Sequence, residues 1–487
     1  MPGMGWTFAR KVKIRGNGLI FEFWRYGLEA GNIGCAHLIF RQFWQRREGR
    51  SSMKPRLSEI RDNYCRAQME RLALIRQRAE STLKDNVLPF WTRNTWDQEY
   101  GGFLTRLDRR GELLDKSEKV LMMQARMIIS LSAAHSHGLT DRGYLDLAHK
   151  GFEYLMGTMW DPREGGFYFS VTRDGNPKCR RKNTDFHMYV LMALSQYYQA
   201  SQRPEALQWA NKVFDLIQAK ARDGALGYFE EFDGLPWPAL NSEQMDLGGE
   251  RTDVKTIDMH VNILEGFWYL CRVSGTPAHK QALREILDLI VEKGLHPNYG
   301  GTITALDREW NSLADRFGNR VTSYGLNVEA AWLMMEALDT LGIPREKYRQ
   351  PVLGLIDHAL QFGFDEVKGG LYAYGPETGK VLESKLPRRA LIKAWWEQVE
   401  ALNAFMAAYE WTRDDRYLSA FEQTFDWCWK YQIDHECGDW YQDVDPDSGQ
   451  PLYTEKGGEF KTAFHVSRCL IRISNALTTL EENGPYA

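Results

Sequence analysis

The chain has 487 residues, 43% of them apolar and 26% charged, with a formal net charge of −4. This balance suits a globular chain with an ample core, and without a long basic run it argues against nucleic acid as the main partner. The seven cysteines (35, 65, 179, 271, 428, 437 and 469) are scattered, odd in number and form no CxxC pair. They suggest neither a disulfide framework nor a zinc site, and a reducing cytoplasm fits best. In chain order, residues 1–52 match nothing that follows and read as an extension of uncertain structure or a mis-called start. Their most apolar stretch, 18–40, is broken by Glu22, Arg25 and Glu29, so neither a membrane span nor a signal peptide is expected. From Met53 the chain opens with an amphipathic helix, and 53–487 is expected to form one domain.

A Gly-rich element then recurs at Gly101, Gly165, Gly227, Gly300, Gly369 and Gly438, at intervals of 64, 62, 73, 69 and 69 residues. Glycine followed by aromatic or β-branched residues suits a short hairpin or turn. Between these elements lie pairs of helical stretches. In one pair, Ile257, Val261, Leu264, Trp268 and Cys271 mark a helix that is apolar almost all round and hence buried. Its partner, "PAHKQALREILDLIVEKG", carries a charged face and belongs outside. Six such units predict an all-α (α/α)6 barrel with Gly-rich hairpins or turns at one end. An open solenoid of helix pairs is the alternative.

The inner stretches carry lone polar residues in apolar runs: Arg126, His187, Glu265, Glu329, Glu400 and His465, one in each unit. Burying an unpaired charge costs several kcal/mol, so six recurrences at similar heights point to one wet pocket where the charges compensate one another. Arg126 with Glu265, Glu329 and Glu400 would hydrogen-bond a polyhydroxylated ligand, and the aromatic content of 13% is in keeping with one. The paired Trp395 and Trp396 read as packing or as a substrate platform. No GxSxG, P-loop, dinucleotide fingerprint, HExxH or calcium loop occurs in the sequence.

These residues resemble the N-acylglucosamine 2-epimerase superfamily, which includes cellobiose 2-epimerases and mannose isomerases, from about residue 60 to 480. "PFWTRNTWDQEYGGF" looks like its opening motif, and "QARMIISLSAAH" like the segment whose arginine, here Arg126, binds substrate. "WWEQVEAL" is similar to its Trp-Trp-x-x-x-Glu helix, with Trp396 and Glu400 facing substrate. "FKTAFHVSRCL" places the proton-transferring histidine at His465, with Phe460 where the cellobiose enzymes have Trp. The resemblance implies a barrel enzyme that opens a sugar ring and removes the C2 proton through a cis-enediolate. His465 would be the base, and Arg126 would steady the developing oxyanion. Glu329, Asn262, Glu265, Asp258, His187, His260 and Trp395 complete the expected site. No cofactor and no metal are implied, and a homodimer is left open.

Three further positions depart from the pattern. Asn262 stands where cellobiose epimerases and mannose isomerases have His, as it does in the acylglucosamine branch; His260 is roughly 200° away around a helix. Asp258 stands where the cellobiose enzymes have Asn. At "SYGLNVEAAW" the second catalytic His of the family is Leu326, which cannot carry a proton. Epimerisation at C2 usually needs two bases, whereas aldose–ketose isomerisation manages with one. The expectation is therefore a sugar 2-epimerase or aldose–ketose isomerase acting on an N-acylhexosamine, hexose or disaccharide. Asn262 and "FHVSRCL" lean to the acylhexosamine branch, and Gln398 to the disaccharide branch. The alternatives are an inactive sugar-binding homologue and, more distantly, a glycoside hydrolase or lyase.

Overall fold

A computed structural model describes residues 10–16, 19–25, 57–232, 255–297, 300–303, 305–313, 321–384, 386 and 391–483. It divides into two compact units, 1–66 and 67–487; the expected boundary at 52/53 lies outside the described residues. In the first unit, strands β1 (Arg10–Gly16) and β2 (Leu19–Arg25) pair antiparallel, from Arg10 opposite Arg25 to Gly16 opposite Leu19.

The rest is mainly helical, as expected, with short antiparallel strand pairs between helices. The helices are α1 (Leu57–Ser81), α2 (Leu88–Asn94), α3 (Leu121–Ser136), α4 (Tyr144–Tyr154), α5 (Thr184–Ser201), α6 (Pro204–Lys220) and α7 (Ile257–Val273). They continue as α8 (Pro277–Leu289), α9 (Tyr324–Leu341), α10 (Arg349–His358), α11 (Trp395–Thr412), α12 (Asp415–Trp427) and α13 (Phe464–Asn483). Six of these, α3, α5, α7, α9, α11 and α13, pack each against the next, and α13 packs back against α3. Their burial follows from composition: α7, for example, is buried from Ile257 to Cys271 except at Asp258. The intervening helices α4, α6, α8, α10 and α12 each pack on the inner helix before them. They bury only one stripe, as α8 does through Ala282, Leu283, Ile286 and Leu287. Truncating a buried leucine such as Leu264 is worth about 2–5 kcal/mol here.

Each Gly marker closes a tight antiparallel bridge: Trp96–Phe103, Trp160–Phe167, Arg222–Tyr228, Leu295–Thr302, Phe364–Leu371 and Ile433–Trp440. The marker glycines have φ between 69° and 94°, a region that side chains disfavour. Among the described residues, two features then lock hairpins to the inner helices that follow, the first at four of the six and the second at five. The first is a buried Lys–Asp pair: Lys119–Asp97 (3.0 Å), Lys182–Asp161 (2.9 Å), Lys255–Asp223 (3.1 Å) and Lys393–Asp365 (2.8 Å). Each lysine lies two residues before its helix. The second is the fourth residue of the helix, a polar side chain that binds hairpin backbone. Gln124 and Gln398 each accept from and donate to one hairpin residue, Phe103 and Leu371 respectively. His187 accepts from the Phe167 N–H (2.9 Å), His260 from Tyr228 (3.3 Å) and Asn327 from Thr302 (2.8 Å).

Candidate active site

Positions 2, 6 and 9 of a helix share one face, because the steps of four and three residues bring the chain round about one turn each. On the six inner helices this face holds a rim of Met122, Asp185, Asp258, Gly325, Trp396 and His465 at position 2. Below it lie Arg126, Tyr189, Asn262, Glu329, Glu400 and Cys469, then Ile129, Met192, Glu265, Trp332, Asn403 and Arg472. Asp258 is exposed and Asp185 and Trp396 are half-buried, whereas the second layer is buried. The ring therefore opens to solvent at the N-terminal ends of its inner helices.

Six isolated polar residues were expected to converge, and five lie on this face. The tightest group is built around His465, Glu400, Glu329 and Glu265, with a residue that sequence reasoning passed over, Arg468. Its guanidinium hydrogen-bonds Glu265 through Nη1, and through Nη2 it reaches Glu400 (2.6 Å) and Glu329 (3.2 Å). Glu400 Oε1 lies 2.8 Å from His465 Nδ1, and its Oε2 accepts from Trp332 Nε1 (2.8 Å) and Asn403 Nδ2 (3.3 Å). The signal for Arg468 was present: it is a second charge one turn below His465, and three acids converging with Arg126 alone leave the cluster short of positive charge.

The protonation states follow from this geometry. Burial opposes ionisation of Glu400, but Arg468 and the His465 hydrogen bond outweigh it and hold the carboxyl at about 2. Burial, followed by the Glu400 charge, drives Glu329 well above the usual carboxylate range, and burial raises Glu265. Burial likewise lowers His465 to about 4 against the pull of Glu400. An ionised Glu400 only accepts, so the proton at 2.8 Å belongs to His465 Nδ1. Nε2 is then left as an unprotonated base. Ligand-type atoms of Glu329, Glu400 and His465 lie within 4.8 Å of one another, a spacing that could hold a cation. Arg468 already bridges these two glutamates.

Arg126 stacks over the Tyr189 ring (4.2 Å to its centroid) and donates through Nη1 to the Phe460 carbonyl. Phe460 is itself exposed. Asn262 accepts from the Tyr189 hydroxyl at 3.2 Å. Trp396 lies 6.4 Å from His465, ring to ring, and leans on Gly325, where an added Cβ would come within 2.9 Å of its indole. Trp395 is buried in packing.

Besides Trp395, two expected site residues are not brought into the group. His187 and His260 occupy position 4, about 200° from position 6, and serve as the hairpin locks described above. Their other ring nitrogens face the carbonyls of Asn183 (2.6 Å) and Thr256 (2.8 Å), and burial lowers their pKa values to about 4 and 3. Gln398 does the same work on Leu371, so it carries no information about the sugar. Leu326 is buried at the start of α9, as its apolar side chain requires.

This ring of helices, with a buried histidine held in an Arg–Glu network, invites comparison with carbohydrate epimerases and isomerases. Residues 101–469 match the N-acylglucosamine 2-epimerase (GlcNAc 2-epimerase) family, and the chain belongs to it. It is 26% identical to the cellobiose 2-epimerase of Bacteroides fragilis over 405 residues, 82% of this chain and 98% of that protein. The N-acylglucosamine 2-epimerase of Rattus norvegicus is 26% identical over 430 residues, 85% of this chain and 95% of that protein. The solved cellobiose 2-epimerase of Bacillus thermoamylovorans B4167 superposes with a TM-score of 0.75 at 28% identity, covering 83% of this chain and 99% of that one. The expectation of an isomerase-class carbohydrate enzyme is met. No described helix is long and apolar enough to cross a membrane.

Proposed function

We propose that the protein is a sugar 2-epimerase whose ring of helix pairs is an (α/α)6 barrel, acting on a reducing hexose, hexosamine or disaccharide. The observation that carries this reading is the His465–Glu400 pair at 2.8 Å, which leaves Nε2 as a base at the open end of the ring. In the open-chain sugar, Nε2 takes the C2 proton and a cis-enediolate forms. Arg126 stabilises its oxygens by charge and hydrogen bonding. Asn262, Glu265, Glu329 and Trp396 line the face that holds the sugar. Relatives at 26–28% identity that act as 2-epimerases support the same chemistry.

Leu326 favours a second reading, an aldose–ketose isomerase working with one base. Incubation with candidate sugars in D2O, followed by NMR, separates the two. Inversion at C2 with deuterium uptake is expected; a ketose labelled at C1 would establish the isomerase. No label in any sugar that binds would leave only a sugar-binding protein.

A further inference from the structure

Position 326 on α9, where the family resemblance implies a second proton carrier, holds a leucine, so the returning proton needs another source. The cyclic order of the inner helices offers one. α9 lies two places from α13 on one side, through α11, and α5 lies two places from α13 on the other, through α3. The rim residue of α5 is Asp185, at position 2, the level His465 occupies on α13. Between them, on α3, stands Arg126, whose charge reaches both side chains.

The surroundings of Asp185 are those of a held but unspent carboxyl. Its Oδ1 is buried without a hydrogen-bond partner. Asn262 stands beside the carboxyl and favours its ionised form. Because the Asn262 oxygen accepts from Tyr189 at 3.2 Å, its NH2 is the group left to serve Asp185. The charged groups around it are Arg126 from α3 and Asp258 and Glu265 from α7.

We propose that Asp185 is the second proton-transfer residue, serving the face of C2 opposite to His465, with Asn262 as its positioning residue. The proposal rests on the 2-epimerase reading. When His465 Nε2 takes the C2 proton, the C–H electron pair forms the C1–C2 double bond and the carbonyl pair moves to O1, beside Arg126. The Asp185 carboxyl then gives its proton to C2 from the other face, and the electrons return to re-form the C1 carbonyl. Asp185 is left ionised and His465 protonated, and exchange with water resets both. The opposite epimer runs the same steps with the roles exchanged. Burial, then the Asp258 charge, lifts Asp185 to about 7 while burial lowers His465 to about 4. Near neutral pH one group is thus substantially loaded and the other empty.

The test uses the full chain in D2O with cellobiose, N-acetylglucosamine, glucose and mannose as probes, with C2 label and configuration read by NMR. In Asp185→Asn, inversion should fall about 100-fold or more, while His465 still washes deuterium into C2 with retention. Asp185→Glu should restore part of the inversion and shift its alkaline limb, and adding Leu326→His to Asp185→Asn should return some inversion from the other side. Inversion at the wild-type rate in Asp185→Asn overturns the proposal. So does equal loss of wash-in and inversion in both a folded Asp185→Asn and a folded Asp185→Glu, since the residue would then be structural. Failure of the 2-epimerase reading looks different: wild type itself puts no label at C2, or yields a C1-labelled ketose.

Discussion

Two sets of polar residues on the same inner helices face opposite ways and do opposite work. At position 4, Gln124, His187, His260, Asn327 and Gln398 each hold hairpin backbone. Their hydrogen-bonding capacity goes into the fold. At positions 2, 6 and 9, His465, Glu400, Glu329 and Glu265 meet Arg468 and one another, with the mouth of the ring in reach. A buried histidine meets hairpin backbone or the carboxylate cluster here according to which way its helix turns it. His260 and His465 are both buried and both lowered in pKa, but only His465 is paired with a carboxylate.

The sharpest way to break this contrast is to remove each histidine. His465→Ala should reduce kcat/KM by about 10²–10⁴-fold with the thermal midpoint little changed, measured by C2 exchange and calorimetry. Arg468→Ala should act on both sides of the contrast. It strips the cation from three buried glutamates and should destabilise by about 3–5 kcal/mol in denaturant unfolding, with activity lost as well. His260→Ala should cost about 1–3 kcal/mol through an unsatisfied hairpin amide, yet His260→Gln should keep both stability and turnover. Glutamine already fills this role at Gln124 and Gln398. Inactivation by His260→Gln would show that position 4 reaches the chemistry.

A smaller effect is expected on acidification. Asp97 and Asp434 have folded pKa values held well below the ordinary range. Burial opposes this, but Arg173 and Lys119 at Asp97, and Arg109 and Lys456 at Asp434, outweigh it. Stability from depressed carboxylates is fully present above their unfolded value, near ~3.9, and is lost as pH falls through the folded value. Unfolding midpoints should therefore drop progressively below about pH 4, and Asp97→Asn should flatten that drop.

Much of this was legible in the residues. The period of the Gly markers announced six units, and the all-round apolar runs separated buried helices from half-exposed ones. His465, Glu400, Glu329 and Glu265 stood out because a lone charge in an apolar run needs a partner. Arg468 was equally visible but was masked by His465 three residues before it. The Lys–Asp locks were also readable, as a lysine two residues ahead of an inner helix and an aspartate ahead of the glycine turn, a pairing found in four of the six units among the described residues. Asp185 was overshadowed by His187, its more conspicuous neighbour.

What the sequence determined by itself is the inventory: helices of known hydrophobic period, turns requiring glycine, and one buried polar residue per unit. Such properties are local, carried by residues within one or two turns of each other. Which polar residues meet was decided only in the tertiary structure. Partners such as Arg468 and Glu265 are 203 residues apart, and a two-residue difference in helix position sends a side chain to the other side of its axis. The ring closure that brings α13 beside α3, and so puts Arg126 between His465 and Asp185, depends on long-range packing of all six units and is written in no single stretch.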